Sequence, residues 1–406
     1  SGRRSKFEEP MQFFKDLSVS AVSAGFVAVL VGFTSSVAIV FHAAQSFHAT
    51  PGEIASWMWA LGLGMGLCSL VPSLWLRKPV MVAWSTPGAA VLAAAGTTGQ
   101  FDMAQAIGAF LVCGALITLV GVTGWFERVM NRIPTEIAAG LLAGVLARFG
   151  MEAFSAAQTA LLLVVVMLGS YLISRRVAPR YAVVATLCVG VAYAALAGQM
   201  QWSVVTWTLA SPRFMAPRFD WSATVGLALP LFVVTMASQN LPGVAVIRAS
   251  GYQLPISRLI TLTGVATLVL APFGAFALNF SAITAAICMG PQAHADPARR
   301  YTAAAACGAF YVVIGIFGAV VTGLLAAFPR ELVAAIAGLA LLGSIGAGLA
   351  SALREETHRE AALITFLVTL SGVVIAGVGS AFWGVVAGSI ALFVQQYASN
   401  PRRPAL

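Results

Sequence analysis

The sequence predicts an all-α polytopic membrane protein with about 14 transmembrane segments in a 7+7 inverted repeat, and three observations carry that prediction. Apolar residues fill 59% of the 406 positions, 9% are charged, and the mean hydropathy is +0.90. Two stretches, 79–101 and 221–247, contain no Asp, Glu, Lys or Arg. Two pairs of local features recur at one offset: Thr86 and Ser281 are 195 residues apart, and so are Pro134 and Pro329. No soluble domain hides that much apolar surface. Each charge-free stretch suffices to cross a hydrocarbon core of about 30 Å, which takes roughly 20 helical residues. Barrel strands would place polar residues at every second position, and these runs do not. A constant offset marks one unit written twice.

In chain order, the first half gives spans near 17–41, 54–76, 79–95, 104–125, 134–149, 157–173 and 181–198. The second gives spans near 223–247, 255–273, 276–289, 302–326, 330–352, 360–377 and 379–396. The charged run from Arg3 to Pro10 leads into a full-length span rather than a short signal-peptide core, so an uncleaved inner-membrane protein is expected. Seven spans per half is an odd number, so the second half enters the membrane in the opposite sense. With the N-terminus inside, 19 of the 23 Lys and Arg fall at cytoplasmic ends and loops, and only Arg148, Arg213, Arg218 and Arg330 fall elsewhere. That bias supports the orientation and places both termini in the cytoplasm. It also accounts for the net charge of +9 without nucleic acid, because the basic residues are spread over many short loops. The segment 201–221, with Trp202, Trp207, Pro212 and Pro217, reads as an external linker lying at headgroup level.

The third and tenth spans are short and interrupted. Thr86-Pro87-Gly88 is a helix-start signature inside a span, since threonine is a good N-cap and proline suits the first helical position. The chain before it is expected to be extended, with a half-helix beginning near mid-membrane. Ser281 offers the same cap to a second half-helix near Ala282 and Ile283. Irregular backbone survives in a bilayer only where protein or a wet cavity surrounds it. Two half-helix N-termini converging there carry free N–H groups and about half a positive charge each, an anion site that needs no arginine. Gly88, Ala89 and Ala282 keep the approach open, and apolar neighbours suit a hydrophobic body. The implied ligand is a small amphipathic anion, and the chain reads as a secondary transporter.

In the eighth span, Ser238-Gln239-Asn240-Leu241-Pro242-Gly243 puts two amides among apolar residues, with local unwinding expected just beyond. Such amides either line the site or act as glue between helices. Thr34, Ser35 and Ser36 are a weaker signal in the first span. Glu136 and Glu331, each third in a Pro-x-Glu helix start, favour the helix dipole and are the candidates for proton coupling. The five cysteines are scattered singly in apolar runs and the four histidines form no i, i+4 pair, so no metal or cofactor is expected. Nothing resembles a nucleophile–base set or an acid pair within the spans, which argues against an enzyme.

Several stretches resemble the benzoate membrane transporter family (BenE type). They are Ala83-Trp84-Ser85-Thr86-Pro87-Gly88-Ala89-Ala90, residues 228–240, residues 282–288, Val177-Ala178-Pro179-Arg180-Tyr181, and Gly379-Ser380-Ala381-Phe382-Trp383-Gly384. The resemblance implies an aromatic-acid:proton symporter of bacterial inner membranes, distantly similar to nucleobase and sulfate transporters. It implies a core domain (11–131 and 222–327) carrying the substrate site, and a gate domain (132–200 and 328–397). Movement of core against gate resembles an elevator. Relatives of this architecture often pair through the gate, so a homodimer is among the assemblies allowed. On this reading Thr86, Pro87, Gly88, Ala89, Gln239, Asn240, Ser281, Ala282 and Ile283 surround benzoate. One departure stands out. The related nucleobase symporters carry glutamates in spans eight and ten, where this chain has Gln239 and the Asn279 region. An amide carries no proton, so the coupling group is unassigned. A nucleobase or inorganic-anion carrier, or an uncoupled anion channel, are the alternatives left open.

Overall fold

The computed structural model describes residues 13, 15–34, 36–97, 99–204, 210–373, 375 and 380–398. Ser35, Trp207, Gly379 and the charged run from Arg3 to Pro10 lie outside them. The chain is mostly helical. Among the described residues, seven helices are long and apolar enough to cross a bilayer, and three shorter apolar helices accompany them.

The first half runs α1 (Val19–Thr34), α2 (Val37–Ser46), α3 (Pro51–Leu76), β1 (Val82–Trp84), α4 (Thr86–Thr97), α5 (Met103–Thr123), α6 (Trp125–Met130), α7 (Thr135–Ser155), α8 (Ala157–Val177) and α9 (Ala182–Leu196). The second runs α10 (Trp221–Ala249), α11 (Ile256–Leu270), β2 (Leu278–Phe280), α12 (Ile283–Met289), α13 (Tyr301–Ala326), α14 (Arg330–Ala352), α15 (Arg359–Ser371) and α16 (Ser380–Ala398). Local chemistry explains the ends. Thr50 and Glu53 form a reciprocal capping box on α3, as Asp102 and Gln105 do on α5. Pro134 and Pro329 stand immediately before α7 and α14 in nearly the same extended conformation, φ −58° and −56°.

Small residues set the packing. Gly66 of α3 faces the Gly308 carbonyl of α13, and Gly62 faces Gly315, so these two helices meet backbone to backbone. α13 also packs on α1, α5 on α11, and α2 on α4. Separately, α7 packs against α14, α15 and α16, and α8 against α9. Gly140 and Gly144 of α7 approach Ala362 and Thr369 of α15 in the same way. α7 meets the first group through residues 241–249 of α10.

The two interruptions pack against α3 and α11 of the first group. β1 and β2 pair antiparallel, with Val82 opposite Phe280, Ala83 opposite Asn279 and Trp84 opposite Leu278. Two further bonds continue the ladder reciprocally: Ser85 N–H to Ala277 O at 3.1 Å, and Ser281 N–H to Met81 O at 3.0 Å. The two extended segments thereby satisfy one another's backbone where the helices leave off.

Candidate functional site

The reciprocal ladder makes Ser85, not Thr86, the counterpart of Ser281. Ser85 is held extended by its bond to Ala277, and its Oγ accepts from the Gly88 N–H at 3.1 Å. Ser281 Oγ likewise accepts from the Thr284 N–H at 3.3 Å. The expected Thr86 cap is thus displaced by one residue, and Thr86 opens the helix instead. Ser85 is fully buried, and its Oγ also accepts from Thr235 Oγ1 of α10 at 2.9 Å.

α10 is continuous rather than unwound. It widens into π turns over Thr224–Ala228 and Met236–Asn240. Each wide turn precedes a proline, Pro230 or Pro242, which has no N–H to give and would crowd the carbonyl four residues back. The second turn sends two adjacent amides in different directions. Gln239 reaches a cavity. Asn240 is fully buried, donates to Met236 Sδ at 3.1 Å and accepts from the Phe280 N–H at 2.9 Å.

The cavity, of about 370 Å³, lies between these pieces. That is the size of a pocket for a small organic molecule. Of the nine residues expected around the ligand, Thr86, Pro87, Gln239, Ser281, Ala282 and Ile283 line it. Gly88, Ala89 and Asn240 do not. Gly88 packs tightly against Leu231 and Ser85, and Ala89 is fully buried. The backbone N–H groups of Thr86, Ala282 and Ile283 meet no acceptor among the described residues. Thr284 Oγ1, buried on the same wall, also lacks a hydrogen-bond partner. Met65, Trp84, Val145, Phe149 and Tyr311 add a largely apolar part of the lining. Ser36, at the break between α1 and α2, accepts from the Trp84 indole N–H at 2.9 Å and donates to Gly32 O at 3.0 Å, which fixes the indole on the lining.

One wall residue stands apart chemically. Glu152 of α7 is the sole charged side chain among the described lining residues. A span edge at 149 leaves it in a loop, but α7 continues to Ser155 and carries it to the cavity. The two glutamates marked by sequence lie elsewhere. Glu136 Oε2 stands 3.3 Å from His358 Nδ1, and Glu331 accepts from Thr159 Oγ1 at 3.1 Å. Asn279 is buried in β2, its amide nitrogen oriented to donate to the Ala83 and Trp84 carbonyls at 3.2 Å. Among the described residues, no group of three or more His, Cys, Asp or Glu could hold a metal ion.

Residues 15–394 match the family model described as benzoate membrane transport protein. The chain is 46% identical over 380 residues to the inner membrane protein YdcO of Escherichia coli (strain K12), covering 94% of this chain and 97% of that one. It is 40% identical over 380 residues to the benzoate membrane transport protein of Acinetobacter baylyi (strain ATCC 33305 / BD413 / ADP1), covering 94% and 96%. Among solved structures, it is similar to the transmembrane domain of the cyanobacterial bicarbonate transporter BicA, with TM-score 0.44, 12% identity and coverage of 93% and 97%. It is also similar to SLC26A9, with TM-score 0.48, 11% identity and coverage of 96% and 67%. The family model spans nearly the whole chain and two relatives match it over the same length: the chain belongs to the benzoate membrane transport family of membrane transporters.

Proposed function

We propose that this protein carries benzoate, or a similar small aromatic carboxylate, across a bacterial inner membrane together with protons. The observation that carries the reading is a single cavity on which unpaired N–H groups of two helix starts meet an aromatic and aliphatic wall. Benzoate has those two ends. Its carboxylate, with a pKa of roughly 4, is almost wholly ionised at pH 7 and suits N–H donors and positive helix ends. Its ring suits Trp84, Phe149 and Tyr311. The name of the Acinetobacter relative points to the same substrate.

On this reading the chain has about 14 spans in two inverted sets of seven, with both termini cytoplasmic. Residues 11–131 and 222–327 form the core that carries the ligand, and 132–200 and 328–397 form the gate. Residues 201–221 link the halves outside. The core moves past the gate as an elevator. The test is uptake of labelled benzoate into proteoliposomes, with and without an inward proton gradient and with a proton-ionophore control, because neutral benzoic acid also leaks through lipid. Saturable, gradient-driven accumulation that benzoate inhibits and uracil and sulfate do not is the expected result. Absence of protein-dependent flux would overturn the substrate assignment.

A further inference from the structure

We propose that Glu152 is the coupling group: it and the substrate carboxylate hold one proton between them. The inference rests on the reading that the cavity takes an aromatic carboxylate. The cavity offers that anion N–H donors and an apolar wall but, among the described residues, no lysine or arginine, and it already contains one carboxylate. Glu152 is exposed on the cavity wall, and a second carboxylate brought into the same cavity is repelled by it unless a proton enters between them. They take up one proton, and the apparent affinity for that proton belongs to the pair. Free Glu and benzoic acid have similar pKa values, about 4, so passing the proton between them costs little.

Glu152 is exposed and meets no counter-charge among the described residues. Among the described residues it has no ion-pair or hydrogen-bond partner for its side chain. Arg148, one turn earlier on α7, packs its guanidinium against Gly372 after α15. α14 presents Arg330 and Glu331 at its start, and Glu331 is bonded to Thr159 of α8. The charges of α8, Arg175 and Arg176, lie in its last turn. Arg248 of α10 is bonded to Met130 and Asn131. The charges of α15, Arg359 and Glu360, lie at the other end of α7, beside Glu136 and His358, and α16 has none. Tyr311 of α13 is the remaining titratable side chain on the lining, and α12 offers only buried Cys288.

The proton balance is simple. Ionised Glu152 and an incoming carboxylate anion take one proton from the side to which the cavity opens. The proton forms an O–H bond on one carboxylate and is accepted by the other. When the substrate leaves as the acid, that O–H bond is on the substrate, and Glu152 is left ionised to accept the next proton. One carboxylate gives one proton per substrate and electroneutral transport. Position 347, which follows Glu152 at the offset of 195 shared by Pro134 and Pro329, is alanine, so the second half supplies no second carboxylate there.

The test uses the full-length protein in proteoliposomes. Benzoate affinity is measured from pH 5 to 8, proton uptake on benzoate addition is followed with a pH dye, and flux is measured under a clamped potential. Wild type is expected to lose affinity about tenfold per pH unit above the proton-sharing pKa, to take up one proton per benzoate, and to ignore the potential. Glu152→Gln is expected to bind with a flat pH profile and to carry benzoate in a potential-dependent way. A Glu152→Gln protein that keeps the wild-type pH slope and proton uptake overturns the inference. So does a wild type that binds benzoate with no proton uptake anywhere in this range, whatever the variant does. A wild type that does not bind benzoate at all refutes the substrate reading instead.

Discussion

Asn240 separates two ways in which a buried amide serves a carrier. Its side-chain oxygen accepts from the Phe280 N–H at 2.9 Å, and both residues are fully buried. Asn240→Leu keeps a similar volume but orphans that N–H, which costs about 1–3 kcal/mol. The cost falls on the junction of α10 with β2, so the opening constant of the strand rises about 5- to 150-fold. Hydrogen exchange resolved on the 278–282 segment should quicken by that factor, and benzoate uptake should fall because Ser281, Ala282 and Ile283 lose their support. Gln239→Leu is the internal comparison. Gln239 lines the cavity, and α10 holds β2 through its neighbour, so this variant should weaken benzoate binding and leave exchange at 278–282 unchanged. If Asn240→Leu abolished uptake with exchange unaltered, Asn240 would act on the ligand directly and the positioning role would be wrong.

Other expectations follow from the same geometry. Ser85→Ala removes the acceptor for both the Gly88 N–H and the Thr235 hydroxyl in a buried place, and should cost about 1–3 kcal/mol in a detergent unfolding titration. Thr86→Val changes the cavity wall but not that cap, so it should lower benzoate uptake while reaching the membrane in wild-type amounts. Gly274 precedes β2 with φ +103°, and an added Cβ would stand 2.0 Å from Trp57 Cδ1, at the centre of the packing with Phe110 and Phe276. Gly274→Ala should therefore cost about 1–2 kcal/mol from the backbone alone, and more from the displaced indole. Size-exclusion profiles after mild heating would register the loss, and a profile matching wild type would count against it.

Apolar composition fixed the helical membrane class from the sequence, because the bilayer tolerates long charge-free runs only as elements that satisfy their own backbone. Proline punctuation was equally legible: Pro134 and Pro329 start helices where expected, and Thr86-Pro87-Gly88 marks a real interruption. These features depend on local chemistry that travels with the residues. What the sequence left open depends on neighbours distant in the chain. Ser85 takes the cap from Thr86 because strand pairing with Ala277 holds it extended. Gln239 and Asn240 are adjacent, yet a wide turn ahead of Pro242 directs one to the cavity and the other to β2. Glu136 and Glu331 carry the same local signature, but both stand in the first turns of α7 and α14, off the lining and beside His358 and Thr159. Glu152 sits beyond the span edge expected at 149, and only the length of α7 and its packing bring its carboxylate to the cavity. Pattern and composition say which segments cross apolar surroundings. Which atom each polar group faces is decided by how those segments pack, and the chemistry of this cavity resides there.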